Sequence, residues 1–181
     1  MPNHVVDIWW SDLRAMDRRL LAHLDPVETR RAEGIASAAD VGRFVVGAAL
    51  LRVAVAAATG LDPREVPVDR ACDECGGPHG RPRVPSLHVS VAHAGPLVLV
   101  ATSPTRVGVD VEATTRGDDI GRWVREEAAF KASGSRDLAG LQVQSLPVPL
   151  HGYLAALACH DTDEVGVITH TQEESADHLS G

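Results

Sequence analysis

Three runs decide the fold: Ser90-Val91-Ala92-His93-Ala94-Gly95, then Val107-Gly108-Val109-Asp110-Val111-Glu112, then Trp123-Val124-Arg125-Glu126-Glu127-Ala128-Ala129-Phe130-Lys131. Their β-branched residues predict strands over 87–92 and 106–112. The third run predicts a helix over 122–133, stopped by Gly134. Asp110 and Glu112 are two apart, so on a strand they share one face. Two carboxylates on one face repel each other unless a cation lies between them. Oxygen ligands suit Mg²⁺, which keeps several waters and bridges to substrate phosphates. Glu127 is the candidate third ligand, delivered by the helix, with Lys131 one turn further on. Alone, the acid pair reads more readily as a solvated edge strand. Glu127 and Lys131 alone read as an ordinary helix-face ion pair. The order in which these runs occur is what shifts the reading.

Outward from this stretch, strands are expected at 5–10, 97–102, 146–150, 153–159 and 165–169. Ser11 is expected to cap a helix over 12–23, with Leu13, Met16, Leu20 and Leu24 on one face. Asp25-Pro26-Val27-Glu28 carries the signature of a capping box with proline at the first helical position. Asp40 is expected to open the longest helix, and Gly60 to end it. Trp123 is expected in the core, and the acidic tail after Thr171 is expected to fray. The loop-rich segment from Pro67 to Pro85 reads as a seam between an N-terminal half, 1–85, and a C-terminal half, 86–181. The fold class is α+β.

The chain has 181 residues and a formal net charge of −8, which disfavours a broad face for nucleic acid. A local basic pocket for a phosphorylated small molecule is still compatible with it. Aromatic residues make up only 3%, so Ala, Val and Leu must fill the core. The longest apolar candidate, Phe44–Ala58, is interrupted by Arg52 and reads as a buried helix rather than a membrane span. Met1-Pro2-Asn3-His4 lacks the pattern of a secretory leader. Three cysteines argue against a disulfide framework, so the cytoplasm is the expected compartment.

Taken together, these motifs resemble the Sfp-type 4'-phosphopantetheinyl transferases. Gly108-Val109-Asp110-Val111-Glu112 is similar to that family's Gly-hydrophobic-Asp-hydrophobic-Glu strand. Trp123 to Lys131 is similar to its Trp-x-x-Lys-Glu-x-x-x-Lys helix. Ser90 to Gly95 resembles its Ser-His-Ser-Gly turn, and Gly80-Arg81-Pro82 its Gly-Lys-Pro motif. Arg30-Arg31, Asp40-Val41-Gly42-Arg43, Leu50-Leu51-Arg52 and the opening Val6-Asp7-Ile8-Trp9 also match in order. The resemblance spans roughly residues 5–159. It implies two similar α/β halves packed as a pseudo-dimer within a monomer. It implies Mg²⁺ on Asp110, Glu112 and Glu127, with Glu127 also helping to deprotonate a serine of an acyl or peptidyl carrier protein. Lys131 would stabilise charge on the pyrophosphate of coenzyme A. His93, Arg43 and Arg81 would grip the 3'-phosphate, with Arg30 near the adenine. The products would be the modified carrier and 3',5'-ADP.

The chain departs from that pattern at three points. Glu126 stands where the family has a lysine, and Ala92 where it has a hydroxyl residue. Only Ala113–Arg122 separates Glu112 from Trp123, a link that is several tens of residues long in the family. A non-catalytic relative that binds coenzyme A or a carrier domain is therefore the alternative. Cys72-x-x-Cys75 with His79 has zinc-ligand spacing, a weak signal by itself. It keeps a zinc-stabilised interaction module as a third reading.

Overall fold

The computed structural model describes residues 4–160 and 165–180; Met1–Asn3, read above for a leader, lie outside them. The described residues form an α+β fold with two sheets. The first has the order β2 (His88–Ala94), β3 (Leu97–Ser103), β1 (His4–Asp12), β7 (Val165–His170). The second has the order β4 (Val107–Ala113), β6 (Tyr153–Cys159), β5 (Gln142–Leu146). β1 runs antiparallel to β3 and parallel to β7, so the 1–85 and 86–181 segments share one sheet.

Side-chain alternation builds four layers. Val6, Ile8 and Trp10 of β1 point toward Val107, Val109 and Val111 of β4, filling the space between the sheets. Trp9, Val98 and Val100 point the other way, onto α2 (Ala38–Thr59). α3 (Ile120–Ser133) covers the outer face of the second sheet through Val124, Ala128 and Ala132. Small residues let α3 come close. A Cβ on Gly108 would lie 2.1 Å from the Ala128 carbonyl oxygen and 2.6 Å from the Ala132 nitrogen. Only a residue without a side chain fits there.

α2 starts after the Ser37 cap, is buried from Val45 to Ala56, and ends at Gly60 in the left-handed region. By length and composition alone it could cross a membrane, but 72% of its most apolar window is buried inside the protein. Arg52, 1% exposed, sits in that interior. It donates to Glu28 Oε2 (2.9 Å), to Asp25 Oδ2 (2.8 Å) and to the Val66 carbonyl (2.8 Å), while Arg70 donates to Glu28 Oε1 (2.9 Å). Glu28 also closes the capping box of α1 (Pro26–Glu33), as its spacing from Asp25 predicts.

Several expectations change. The 12–23 helix is instead two 3₁₀ turns, Leu13–Ala15 and Arg18–His23, because Asp12 and Asp17 each cap a new start and break the α-helical ladder. The tail folds as α4 (Gln172–Ser180), with Leu179 buried and the His178 ring edge-on to Trp9 at 5.3 Å. The strand placed at 146–150 lies at 142–146, since Pro147 and Pro149 cannot feed a ladder. Trp123 is 40% exposed, not core; the inward face of α3 belongs to Val124 and Ala128, and Arg136 covers the indole at 5.2 Å.

Candidate active site at the seam of the two sheets

β2 and β4 run side by side where the sheets meet, and the Val109 amide donates to Ser90 Oγ at 3.0 Å. Gly108, Asp110 and Glu112 alternate onto the α3 face of β4. The close approach at Gly108 brings Lys131 over the strand. Its Nζ donates to Asp110 Oδ1 (2.8 Å) and to the Val109 carbonyl (3.0 Å). Asp110 Oδ2 is buried and has no hydrogen-bond partner. Burial pushes the Asp110 carboxyl above its ordinary range; Lys131 pulls the other way, while Glu112 and Glu127 add to the rise. Those last two effects place both glutamates within electrostatic reach of Asp110.

The sequence-derived acids Glu112 and Glu127 lie within electrostatic reach of Asp110, but the three sets of carboxylate oxygens do not converge within 4.8 Å of one another, and each acid holds a cation of the protein. Arg116 donates to Glu112 Oε1 at 2.6 Å, and Arg136 to Glu127 Oε1 at 2.6 Å. Neither arginine was singled out from the sequence. Arg116 has a helix-like spacing from Glu112 that could have flagged it; Arg136, beyond the end of α3, has none. Both arginine side chains are more than half exposed and can turn away, whereas Lys131 is mostly buried. Glu126 pairs with Arg122 along α3 at 2.6 Å. This contact occupies the charge that stands in place of the family's lysine.

His93 and Arg43 lie on the α2 side of the same seam. Arg43 donates Nε to the Gly95 carbonyl at 2.6 Å and also pairs with Asp40. Gly95 takes a left-handed φ of +54° at the two-residue β2–β3 turn, and a Cβ there would strike the Tyr153 hydroxyl. The His93 ring keeps solvent access on one side. Even so, the surrounding protein and then the charges of Arg43 and Lys131 lower its pKa. It is therefore a neutral imidazole at neutral pH.

A cleft of about 380 Å³ opens beside these two residues, lined also by Arg31, Phe44, Arg70, Gly80 and Pro82. Arg31 and Arg70 lie over the Phe44 ring at 4.9 and 5.5 Å. The sequence reading chose Arg30; the structure places Arg30 on the exposed side of α1 and Arg31 in the cleft. Arg81 does not line this cleft. It donates to the Lys131 carbonyl at 3.1 Å, stacks on Phe130, and shares a neighbouring groove with Lys131. It thereby satisfies a backbone acceptor that the end of α3 leaves open. A larger cleft, about 740 Å³, lies between β1 and α4, lined by Trp10, Asp12, Pro147 and Gln172 among others.

The site thus unites a buried carboxylate with an open oxygen, two further acids, a lysine, and a cationic cleft with an aromatic wall. Such a set can accept a proton and bind phosphate groups, and its acids could hold a divalent ion once Glu112 and Glu127 turn from their arginines. No protein-family model matches the chain. The chain is 27% identical over 99 residues to a 4'-phosphopantetheinyl transferase of Bacillus subtilis, a match that takes in 55% of this chain. It spans only 43% of that protein's length, so the chain is a distant relative that matches less than half of it.

Proposed function

We propose that the protein transfers the 4'-phosphopantetheine group from coenzyme A to a serine of an acyl or peptidyl carrier protein, with Mg²⁺, releasing 3',5'-ADP. One observation carries this reading: the buried, unpartnered Asp110 Oδ2, within electrostatic reach of two more acids. An orphaned carboxylate oxygen in a protein interior is costly unless a cation or donor meets it. The kinship with a phosphopantetheinyl transferase supports the general activity.

An all-oxygen donor set fits magnesium. Asp110, Glu112 and Glu127 would hold it, and once bound it would neutralise charge on the pyrophosphate. The protein's own groups do the rest. Arg43 and His93 would grip the 3'-phosphate, and Arg31, Arg70 and Phe44 would flank the base. Arg81 would add a phosphate contact from the groove it shares with Lys131, while Arg30 faces solvent in the last turn of α1. Glu127 takes the serine proton, directly or through water. The serine oxygen bonds to the β-phosphorus as its bond to the bridging oxygen breaks, and Lys131 steadies the charge that develops. The pseudo-dimer reading has support in the layering, since α2 with the first sheet and α3 with the second stand back to back, although β2, β3 and β7 of the first sheet come from beyond residue 85. The protein would act as a monomer in the cytoplasm.

The test is direct. With coenzyme A, Mg²⁺ and an apo carrier domain, mass spectrometry of the carrier should show the added phosphopantetheine. Glu127→Gln should lower the rate at least about 10²-fold, the order expected for removing a positioned base. Binding of coenzyme A without any gain in carrier mass would favour the non-catalytic reading.

His93 gives a second test. Its neutral ring offers one donor, whereas the imidazolium offers two and a charge. Anion binding therefore favours the protonated form, and affinity should rise as pH falls through the His93 value. Calorimetry of 3',5'-ADP binding should show affinity rising as the pH falls below the ordinary histidine value of about 6.5, from which His93 is lowered. His93→Gln should flatten that profile, and comparison with the variant separates the imidazole from the phosphate's own titration.

A further inference from the structure

The segment 69–83 forms a closed loop. Asp69 and Arg83 exchange both backbone hydrogen bonds (2.9 and 2.8 Å), and the Gly80 amide reaches the Arg70 carbonyl at 2.8 Å. At its tip the chain turns back on itself. The Gly76 amide donates to the Cys72 carbonyl and the Cys72 amide to the Gly77 carbonyl, each at 2.8 Å, with Gly76 at a φ of +69°. The Gly77 amide points at Cys75 Sγ (3.4 Å), and Cys75 Sγ lies 3.0 Å from His79 Nε2. Cys72, Cys75 and His79 each bring a ligand atom within 4.8 Å of the others. Among the described residues, no other group of His, Cys and acidic side chains does so.

Apolar packing does not explain this convergence, because Cys75 and His79 are exposed and Cys72 is only partly covered. A zinc ion does. With bonds of about 2.3 Å to sulfur and about 2.0–2.1 Å to nitrogen, tetrahedral ligand atoms stand roughly 3.5–3.8 Å apart, within the span seen here. Two thiolates and an imidazole form a soft set that favours zinc over magnesium or calcium. The third cysteine, Cys159, is buried in β6 and takes no part.

We infer that Cys72, Cys75 and His79 bind one zinc ion, with water in the fourth position. The ion locks the tip of a loop that leans on two helices. The Pro78 carbonyl accepts from Arg31 of α1 at 3.4 Å, and Arg81 caps the end of α3. Gly80 is pressed against Ala71, where a Cβ would come within 2.4 Å of the carbonyl oxygen. The site is independent of the transferase reading and stands or falls without it.

Metal analysis of the full chain, purified without added zinc and passed through gel filtration, tests it. One zinc per chain is expected, and substitution with cobalt should give a thiolate-to-cobalt charge-transfer band. Cys75→Ser and His79→Ala should each lose the bound metal, and Cys159→Ser should keep it. Three results would overturn the inference: metal that gel filtration strips away, full zinc content in Cys75→Ser, or a Cys72–Cys75 disulfide in protein prepared without reductant.

Discussion

Replacing Glu28 with glutamine is expected to destabilise the protein by about 3–5 kcal/mol, the range for breaking a buried charge cluster from one side. Glu28 is fully buried and receives both Arg52 and Arg70. The variant would leave two guanidinium groups facing one amide, which accepts at a single oxygen. It would also weaken the capping box of α1, since Glu28 Oε2 accepts from the Asp25 amide. Domains of this size have roughly 5–15 kcal/mol in total, so much of the stability would go. The melting temperature should fall by about 10 °C or more, and the urea midpoint should fall with it. Replacing Glu28, Arg52 and Arg70 together with apolar residues of similar volume should be far milder, because the buried charges then leave together and the one carboxylate that loses its partner, Asp25, is partly exposed to water. A loss below about 1 kcal/mol in Glu28→Gln would mean that water reaches the cluster and that its burial is overstated.

Gly108→Ala should damage stability and activity together. The φ at Gly108 is ordinary for any L-residue, so the constraint is space alone. The new methyl would sit 2.1 Å from the Ala128 carbonyl oxygen, and backbone on both sides cannot yield as a flexible side chain could. α3 must shift outward by about 1 Å, at a cost of about 1–3 kcal/mol or more. That shift carries Lys131 and Glu127 away from Asp110. A displacement of this size can cost about 10²-fold in rate even when every reacting group is present. In the carrier-mass assay Gly108→Ala should therefore lose most transfer, although Asp110, Glu127 and Lys131 remain. Wild-type turnover in a folded Gly108→Ala protein would show that the fit of α3 on β4 does not govern the site.

What the sequence revealed and what it hid divide along physical lines. Local signals held. Asp25-Pro26-x-Glu28 gave the start of α1, Gly60 and Gly134 the ends of α2 and α3, and the Asp110–Glu112 alternation one shared face of β4. Contacts between distant residues did not show. Arg52 looks like an interruption in an apolar helix until Glu28, 24 residues away, is brought to it together with Arg70, which meets the same Glu28 across 42 residues. The choice between Arg30 and Arg31 depended on how α1 is rotated against α2, which no neighbouring residue fixes. The segment 12–23 misled because its leucines keep a helical spacing while Asp12 and Asp17 break the backbone pattern beneath them. Arg136 was invisible as a partner of Glu127 because it lies past the helix end, where periodicity stops.

β1 is an inner strand of its sheet, flanked by β3 and β7. Residues 4–9 pair with residues 165–170, about 160 positions later. During synthesis one side of β1 waits, its amides and carbonyls open to water or to other chains. Closing so distant a pair is slow, because the long loop must give up its freedom before the ladder repays it. The nascent chain therefore carries an unpaired inner edge until β7 emerges, and assistance from holding factors should matter most in that interval.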